Sequence, residues 1–253
     1  MSPLKFLRTS LLLLALVAAH GQAQTASVAV AANMKDAFTE IEAAYRATGK
    51  PPLRVIYGSS GNFTTQIMNG APFSLFVSAD EQFPLELYKS GKTIDEGRVY
   101  AIGRIALLTK NNSGLKLGSN KADLARVIVS ANKVAIAKPE LAPYGKAAVE
   151  YLKAAGLWEL AKDKLVYADN VSVATMYVVS GAADLGFTAL SLARSPEIAR
   201  DANYITLDDA LYKPIRQRVV LMKGAPKEAL DLYVFLQSAA AKNILIKNGY
   251  MVP

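Results

Sequence analysis

The sequence has no cysteine and only one histidine, His20, close to its N-terminus. Without cysteine the chain cannot form disulfides, thiolate nucleophiles or cysteine metal sites. If the first 23 residues are removed as a secretion signal, the mature chain also has no imidazole for a Ser-His-Asp triad, a zinc site or ordinary general-base catalysis. Lysine, glutamate or tyrosine could still serve an enzyme, but these absences favour a binding protein.

The N-terminal segment 1–23 has the composition of a cleaved signal peptide. Lys5 and Arg8 precede an apolar run at 11–19, and Gly21 and Ala23 supply small residues before the predicted cleavage site. A membrane anchor is the alternative, but the run is shorter than the ~20 residues that span a bilayer. No cysteine follows that could carry a lipid. We therefore expect a periplasmic protein with no membrane insertion after cleavage.

Positive charge is moderate and dispersed. The formal charge of +8 falls to about +6 when Lys5 and Arg8 are removed with the signal. The lysines are spread along the chain, which indicates a mildly basic, solvated surface more than a nucleic-acid-binding patch. We expect no nucleic-acid partner.

Short apolar strands alternate with amphipathic helices along the rest of the chain, which predicts an α/β fold with mostly parallel sheets. The predicted strands are 28–32, 53–57, 75–78, 102–109, 133–137, 165–167, 185–188 and 215–222. The predicted helices are 34–49, 62–69, 81–90, 145–155, 172–180, 190–194 and 228–248. Asn33 is expected to cap the first helix, and 110–119 to form a loop.

The long extended segments near 102–109 and 215–222 bracket a self-sufficient α/β block. This arrangement predicts two lobes joined by two crossing strands, with 24–104 plus 218–253 as lobe 1 and 105–217 as lobe 2. A single continuous sheet is the alternative.

Four junctions carry small or polar residues where a helix begins: 32–34, 58–61, 143–145 and 169–172. The first N–H groups of a helix lack intrahelical acceptors and lie at the positive end of the helix dipole, so they can bind an anion without a charged side chain. In open α/β sheets such junctions gather at the carboxyl ends of the strands. Each one alone could be an ordinary cap or turn.

These junctions belong to longer stretches with a recognisable pattern. The stretches are Val30–Met34, Gly58–Asn62 followed by Gln66 and Ile67, Gly70–Asp80, Ala142–Gly145, Asp169–Val171 and Asp184–Phe187. Over nearly the whole mature length they resemble the family of periplasmic molybdate-binding proteins of ABC-type importers, and Gly70–Asp80 is the most distinctive of them.

The resemblance implies the type II periplasmic-binding-protein fold and a set of anion ligands. Asn33 and Ser60 would donate from side chain and backbone, and Tyr144 and Val171 through backbone N–H groups. Ala32 and Ser59 are neighbouring ligands. Some members place a tyrosine ligand where this chain has Ala189, so that donor is missing here.

The resemblance further implies a monomeric, non-catalytic protein without cofactors. Molybdenum would enter only as molybdate, with tungstate as a second ligand, and would be held by the same residues. The lobes would close on the anion, and the closed form would dock on a membrane permease. Two alternatives stay open: a carrier of sulfate or phosphate, and a secreted enzyme with a lysine or glutamate base.

Overall fold

The computed structural model describes residues 25–253, so the predicted signal at 1–23 lies outside the described residues. Within that range strands and helices alternate. The strands are β1 Ser27–Ala31, β2 Arg54–Gly58, β3 Leu75–Val77, β4 Arg98–Gly103, β5 Ile105–Lys110, β6 Val134–Ala137, β7 Leu165–Ala168, β8 Leu185–Ala189, β9 Ala202–Thr206 and β10 Ile215–Leu221. The helices are α1 Lys35–Ala47, α2 Ser60–Met68, α3 Gln82–Lys89, α4 Lys121–Ser130, α5 Pro143–Ala154, α6 Trp158–Ala161, α7 Val171–Ser180, α8 Leu190–Ala193, α9 Pro196–Asp201, α10 Lys227–Phe235 and α11 Ala239–Lys247.

The first lobe is built on a five-stranded sheet in the order β2-β1-β3-β10-β4. β1 pairs in parallel with β2 and β3, and β10 runs antiparallel between β3 and β4. The apolar face of α1, with Phe38 and Ile41 fully buried, packs on this sheet together with α10 and α11. The C-terminal helices therefore complete the lobe that the N-terminus begins.

The second lobe repeats this plan, with a sheet in the order β7-β6-β8-β5-β9. β6 pairs in parallel with β7 and β8, while β5 runs antiparallel between β8 and β9. Because α5 and α7 follow β6 and β7 directly, both helices begin at the carboxyl ends of parallel strands. Their first N–H groups consequently lie at the edge where ligands bind in such sheets.

Two segments connect the lobes. β4 and β5 are interrupted only at Arg104, and the chain returns to the first sheet between β9 and β10. The prediction of two lobes joined by crossing strands is confirmed, and the single continuous sheet is excluded. β10 pairs with β4 from Ile215 onward, ahead of the predicted boundary at 217/218. The residue boundaries of the lobes stay predictions.

Several local predictions differ from the structure. The C-terminal helix predicted at 228–248 is two helices, because Ser238 caps a new one by accepting from the N–H of Ala241. Helices α4, α6 and α9 and strand β9 were not predicted, and the single strand predicted at 102–109 is two strands, β4 and β5, in different sheets. Asn33 does not cap a helix: it lies inside a 3-10 turn, Ala32–Met34, and its side chain is bonded elsewhere.

Among residues 25–253 no single helix has the length and apolar composition needed to cross a bilayer. Only α10 and α11 taken together reach that length and composition, and they are bent by 61° at their junction.

Candidate functional site

A small cavity lies between the lobes at the starts of several helices. Its lining residues are Ala31, Ala32, Asn33, Gly58, Ser59, Ser60, Ala79, Ala142, Pro143, Tyr144, Asn170 and Val171. All six ligand residues predicted from the sequence are among them. Among residues 25–253 no lysine, arginine, aspartate or glutamate lines the cavity, so the polar groups that these residues offer a ligand are hydroxyls, amides and backbone groups.

The first lobe offers two adjacent serines at the start of α2. Ser59 occupies the N-cap position, yet its hydroxyl makes no cap bond and has no partner among the described residues. The hydroxyl oxygen of Ser60 accepts from the N–H of Ala79 at 3.0 Å, which leaves its hydrogen free to donate. Both residues are buried. A buried hydroxyl without a partner costs free energy, so the cavity favours a ligand that accepts from Ser59.

The second lobe offers the starts of α5 and α7. Pro143 is the first residue of α5 and Tyr144 follows it, while Val171 begins α7 behind its cap residue Asn170. The Asn170 side chain accepts from the N–H of Val173 at 3.0 Å and so fixes that helix start. Among the described residues the backbone N–H groups of Ser60, Tyr144 and Val171 have no acceptor. Donors from both lobes therefore remain unused.

A buried polar cluster lies directly behind the cavity, and we call it the amide hub. At its centre, Nδ2 of Asn33 lies 2.9 Å from Oε1 of Gln217, and Nε2 of Gln217 lies 3.0 Å from the hydroxyl of Tyr144. The hydroxyl of Tyr100 lies 2.8 Å from the same Oε1 and 2.9 Å from the carbonyl oxygen of Ser78. The hub thus ties Tyr144 of the second lobe to the first lobe.

Tyr250 and Ser191 complete the amide hub on its other side. The Tyr250 hydroxyl lies 2.9 Å from Nδ2 of Asn33, 2.8 Å from the Asn33 carbonyl oxygen and 2.9 Å from the Ser191 hydroxyl. The Ser191 hydroxyl also donates to the Asn33 carbonyl at 2.9 Å. In spite of these contacts, Oδ1 of Asn33 is buried without a hydrogen-bond donor.

The tyrosines of the amide hub are neutral. Burial raises the pKa values of Tyr100 and Tyr144 well above their usual value, and burial also raises the pKa of Tyr250. Each phenol therefore keeps its hydrogen and has one bond to donate. Sequence reasoning found Tyr144 but missed Tyr100, Gln217, Ser191 and Tyr250, which carry no local motif.

Asp80 and Asp169 adjoin lining residues in sequence but do not line the cavity themselves. Asp169 is mostly exposed and pairs with Lys138 at 2.8 Å. Asp80 follows the lining residue Ala79, and burial raises its pKa to about 6. Its Oδ1 accepts from the hydroxyl of Ser78 and the N–H of Phe83. Ala189, where the related tyrosine is missing, is fully buried at the end of β8 and does not line the cavity.

The lobes meet directly beside the cavity. The N–H of Gly61 in α2 donates to the carbonyl oxygen of Leu141 in the second lobe at 2.9 Å. A Cβ on Gly61 would lie 2.9 Å from Cα of Leu141, so only glycine permits this approach without a shift. The two walls of the cavity are thus held in contact.

A two-lobe α/β protein with an uncharged, donor-lined cavity in its cleft is a solute-binding protein by architecture. The family model of bacterial extracellular solute-binding proteins matches residues 26–251, and the chain belongs to this family. The family consists of non-enzymatic binding components of transporters, which sets aside the alternative of a secreted enzyme.

Two relatives resemble the chain over nearly its full length. It is 35% identical to the molybdate-binding protein of Rhodobacter capsulatus, covering 94% of this chain and 91% of that protein. It is 33% identical to the molybdate-binding protein of Azotobacter vinelandii, covering 93% of each. The solved structure of the Azotobacter vinelandii periplasmic molybdate-binding protein superposes with a TM-score of 0.81 at 28% identity, covering 90% of this chain and 99% of that one. The type II fold is thereby confirmed.

Proposed function

We propose that this protein captures molybdate in the interlobe cavity and delivers it to the permease of an ABC importer in the bacterial inner membrane. The observation that carries the proposal is the cavity itself: it gathers Asn33, Ser60, Tyr144 and Val171, with Ala32 and Ser59, and no charged side chain of the described part of the chain. The two molybdate-binding relatives support the choice of anion.

Neutral donors are sufficient to hold a dianion in this cavity. Each hydrogen bond to a charged oxygen is worth roughly 1.5–3 kcal/mol, and four tetrahedral oxygens offer many acceptor sites. Backbone N–H groups at helix starts are fixed before the ligand arrives, so little entropy is lost in orienting them. The hydroxyls of Ser59 and Ser60 add donors from the first lobe.

Lobe closure is the proposed capture step. Donors of the first lobe and donors of the second reach the same anion only when the lobes are in contact. Such a ligand shifts the population toward the closed form, because it gains the second set of bonds only there. The closed form would then be the one that the permease recognises, in the periplasm, after removal of residues 1–23.

Tungstate is proposed as a second ligand because its size and charge nearly equal those of molybdate. Sulfate and phosphate are the competing anions. Sulfate is smaller, so its weaker binding would depend on the distance between the donor sets. Phosphate near neutral pH keeps a proton, which requires an acceptor in the cavity and is disfavoured where donors to the ligand predominate.

Calorimetric titration of the purified protein with molybdate, tungstate, sulfate and phosphate tests the proposal. We expect one molybdate per chain, tungstate of similar affinity, and much weaker heats with sulfate and phosphate. Tight sulfate binding without molybdate binding would reassign the cavity to sulfate. Absence of binding by all four anions would refute the function.

A further inference from the structure

The side-chain amides of Asn33 and Gln217 form a coupled pair whose hydrogen-bond direction can be reversed. A half turn of an amide exchanges its oxygen and nitrogen without moving other heavy atoms. Since Nδ2 of Asn33 lies 2.9 Å from Oε1 of Gln217, one amide cannot turn alone without bringing two like atoms together. The two must turn together, and the amide hub then has two arrangements.

In the first arrangement Nδ2 of Asn33 donates to Gln217 and Oδ1 of Asn33 has no donor. The Tyr100 hydroxyl then lies within bonding distance of two acceptors, Oε1 of Gln217 at 2.8 Å and the carbonyl of Ser78 at 2.9 Å. One hydrogen cannot fully serve both acceptors. This arrangement therefore leaves Oδ1 of Asn33 unpaired at one end, and at the other end it sets two acceptors against one Tyr100 hydrogen.

In the second arrangement the competition at Tyr100 disappears, and the unpaired acceptor of Asn33 is replaced by a donor that an anion can accept from. The Tyr100 hydroxyl donates to the carbonyl of Ser78, which is buried and can only accept. Nε2 of the turned Gln217 amide then donates one hydrogen to the Tyr100 oxygen and the other to Oδ1 of Asn33. Oε1 of Gln217 accepts from the Tyr144 hydroxyl. Nδ2 of Asn33 moves to the position that the unpaired Oδ1 held.

Tyr250 and Ser191 can accommodate this reversal. The Tyr250 hydroxyl, 2.9 Å from the turned amide, donates to Oδ1 of Asn33 in place of the Asn33 carbonyl. The Ser191 hydroxyl, 2.9 Å from that carbonyl, remains as its donor. On this side of the amide hub, turning the amides therefore changes only the acceptor of the Tyr250 hydroxyl. A ligand that binds the second arrangement only moderately more tightly than the first can then select it.

We propose that Gln217 is a positioning residue for the anion: with its amide held by Tyr100, it turns Nδ2 of Asn33 toward the cavity as a donor. The proposal rests on the anion-binding function proposed above. It also assigns a source of selectivity, because the first arrangement leaves Oδ1 of Asn33 as an acceptor for the proton of monohydrogen phosphate. The second arrangement removes that acceptor and favours fully deprotonated molybdate.

Nuclear Overhauser contacts of the Gln217 side-chain amide protons distinguish the arrangements in the molybdate-saturated protein. The second arrangement places Nε2 next to the Tyr100 hydroxyl, so we expect contacts to the ring protons of Tyr100. Contacts to the ring of Tyr144 instead would overturn the inference while leaving molybdate binding intact. If molybdate fails to bind in the parallel calorimetric titration, the proposed function fails and not merely the positioning role.

Tyr100→Phe, with Tyr45→Phe as its matched control, tests the role in selectivity. Both tyrosines are buried in the first lobe and donate to backbone carbonyls, Tyr45 to Glu228 at 3.1 Å. Without the Tyr100 hydroxyl, the amide of Gln217 is no longer held in one orientation. We expect molybdate binding to weaken roughly tenfold, which corresponds to the loss of about one hydrogen bond. We also expect a smaller preference for molybdate over phosphate. Tyr45→Phe should lower thermal stability and leave that preference unchanged. Equal effects of the two substitutions on the molybdate-to-phosphate ratio would overturn the inference.

Discussion

The backbone N–H of Gly61 donates across the cleft to the carbonyl of Leu141, and this 2.9 Å bond joins the two lobes beside the anion cavity. It is made between main chains, and the space around Gly61 is too small for a Cβ. Closure of the lobes can therefore be disturbed at this point without altering any donor that faces the anion.

Gly61→Ala is expected to weaken molybdate binding roughly tenfold or more, since overpacking a tight contact costs about 1–3 kcal/mol. The overlap with Leu141 arises only when the lobes meet, whereas the 3.0 Å approach to the ring of Phe83 lies within the first lobe. The thermal stability of the anion-free protein should therefore fall only slightly. Titration calorimetry measures the affinity, and thermal unfolding of the anion-free protein measures its stability. Gln66→Ala, exposed on the same helix, is the control and should bind normally. Normal affinity in Gly61→Ala would mean that the anion is bound without this lobe contact.

Ser60→Asp is expected to abolish molybdate binding while the protein remains folded. A carboxylate at this buried position would lie against the dianion, where like charges repel strongly. Ser60→Asn has nearly the same shape without the charge and should retain weakened binding. If both variants lose binding equally in calorimetry, the cause is size and not charge.

Ser59→Ala separates binding from stability. The Ser59 hydroxyl has no partner within the described chain, so its removal breaks no internal bond, whereas a donor to the anion is lost. We expect roughly tenfold weaker molybdate binding and an unchanged or slightly higher melting temperature. Ser78→Ala is the control for the loss of an internal hydrogen bond, because the buried Ser78 hydroxyl donates to Asp80. It should lower the melting temperature more than the affinity, and the reverse ranking would contradict the assignment of Ser59.

Asp80 should make stability depend on pH between about 4 and 6. Burial raises its pKa from 3.8 to about 6, so in this window the folded protein holds a proton that the unfolded chain has released. The contribution of Asp80 is therefore favourable at low pH and is lost as the pH rises through 6. Asp80→Asn should be more stable than the parent at pH 8 and lose this advantage near pH 4, as measured by thermal unfolding. A constant difference across the range would show that the titration of Asp80 does not matter.

The fold was largely predictable because its strands are short apolar runs that alternate with amphipathic helices. The missed helix α4 did carry a signal: Asn120 caps it through the N–H of Asp123, and Leu124, Val127 and Ile128 form its buried face. The break between α10 and α11 was hidden because apolar residues continue through it. Only Ser238, a good cap residue, marked the new start.

The candidate site was predictable in its helix starts and not in the amide hub behind them. Ser60 and Val171 stand at strand-to-helix junctions that are visible in the sequence. Gln217 and Tyr100 lie on β10 and β4, whose pairing is a product of the tertiary fold. A buried glutamine within a strand has no local signature of the partners it meets. The role of Asn33 was misjudged for the same reason, since a cap was inferred from its neighbours in sequence alone.

At the helix starts of Tyr144 and Val171 the free donors are main-chain N–H groups, and this affects which substitutions the cavity can tolerate. The donors do not depend on the side chains at these positions, so substitutions there change the packing around the cavity and leave its donors in place. Only proline removes the N–H itself. If Tyr144 and Val171 bind the anion as proposed, alanine substitutions at these positions would underestimate their contribution, because the donating N–H groups belong to the backbone and remain in place.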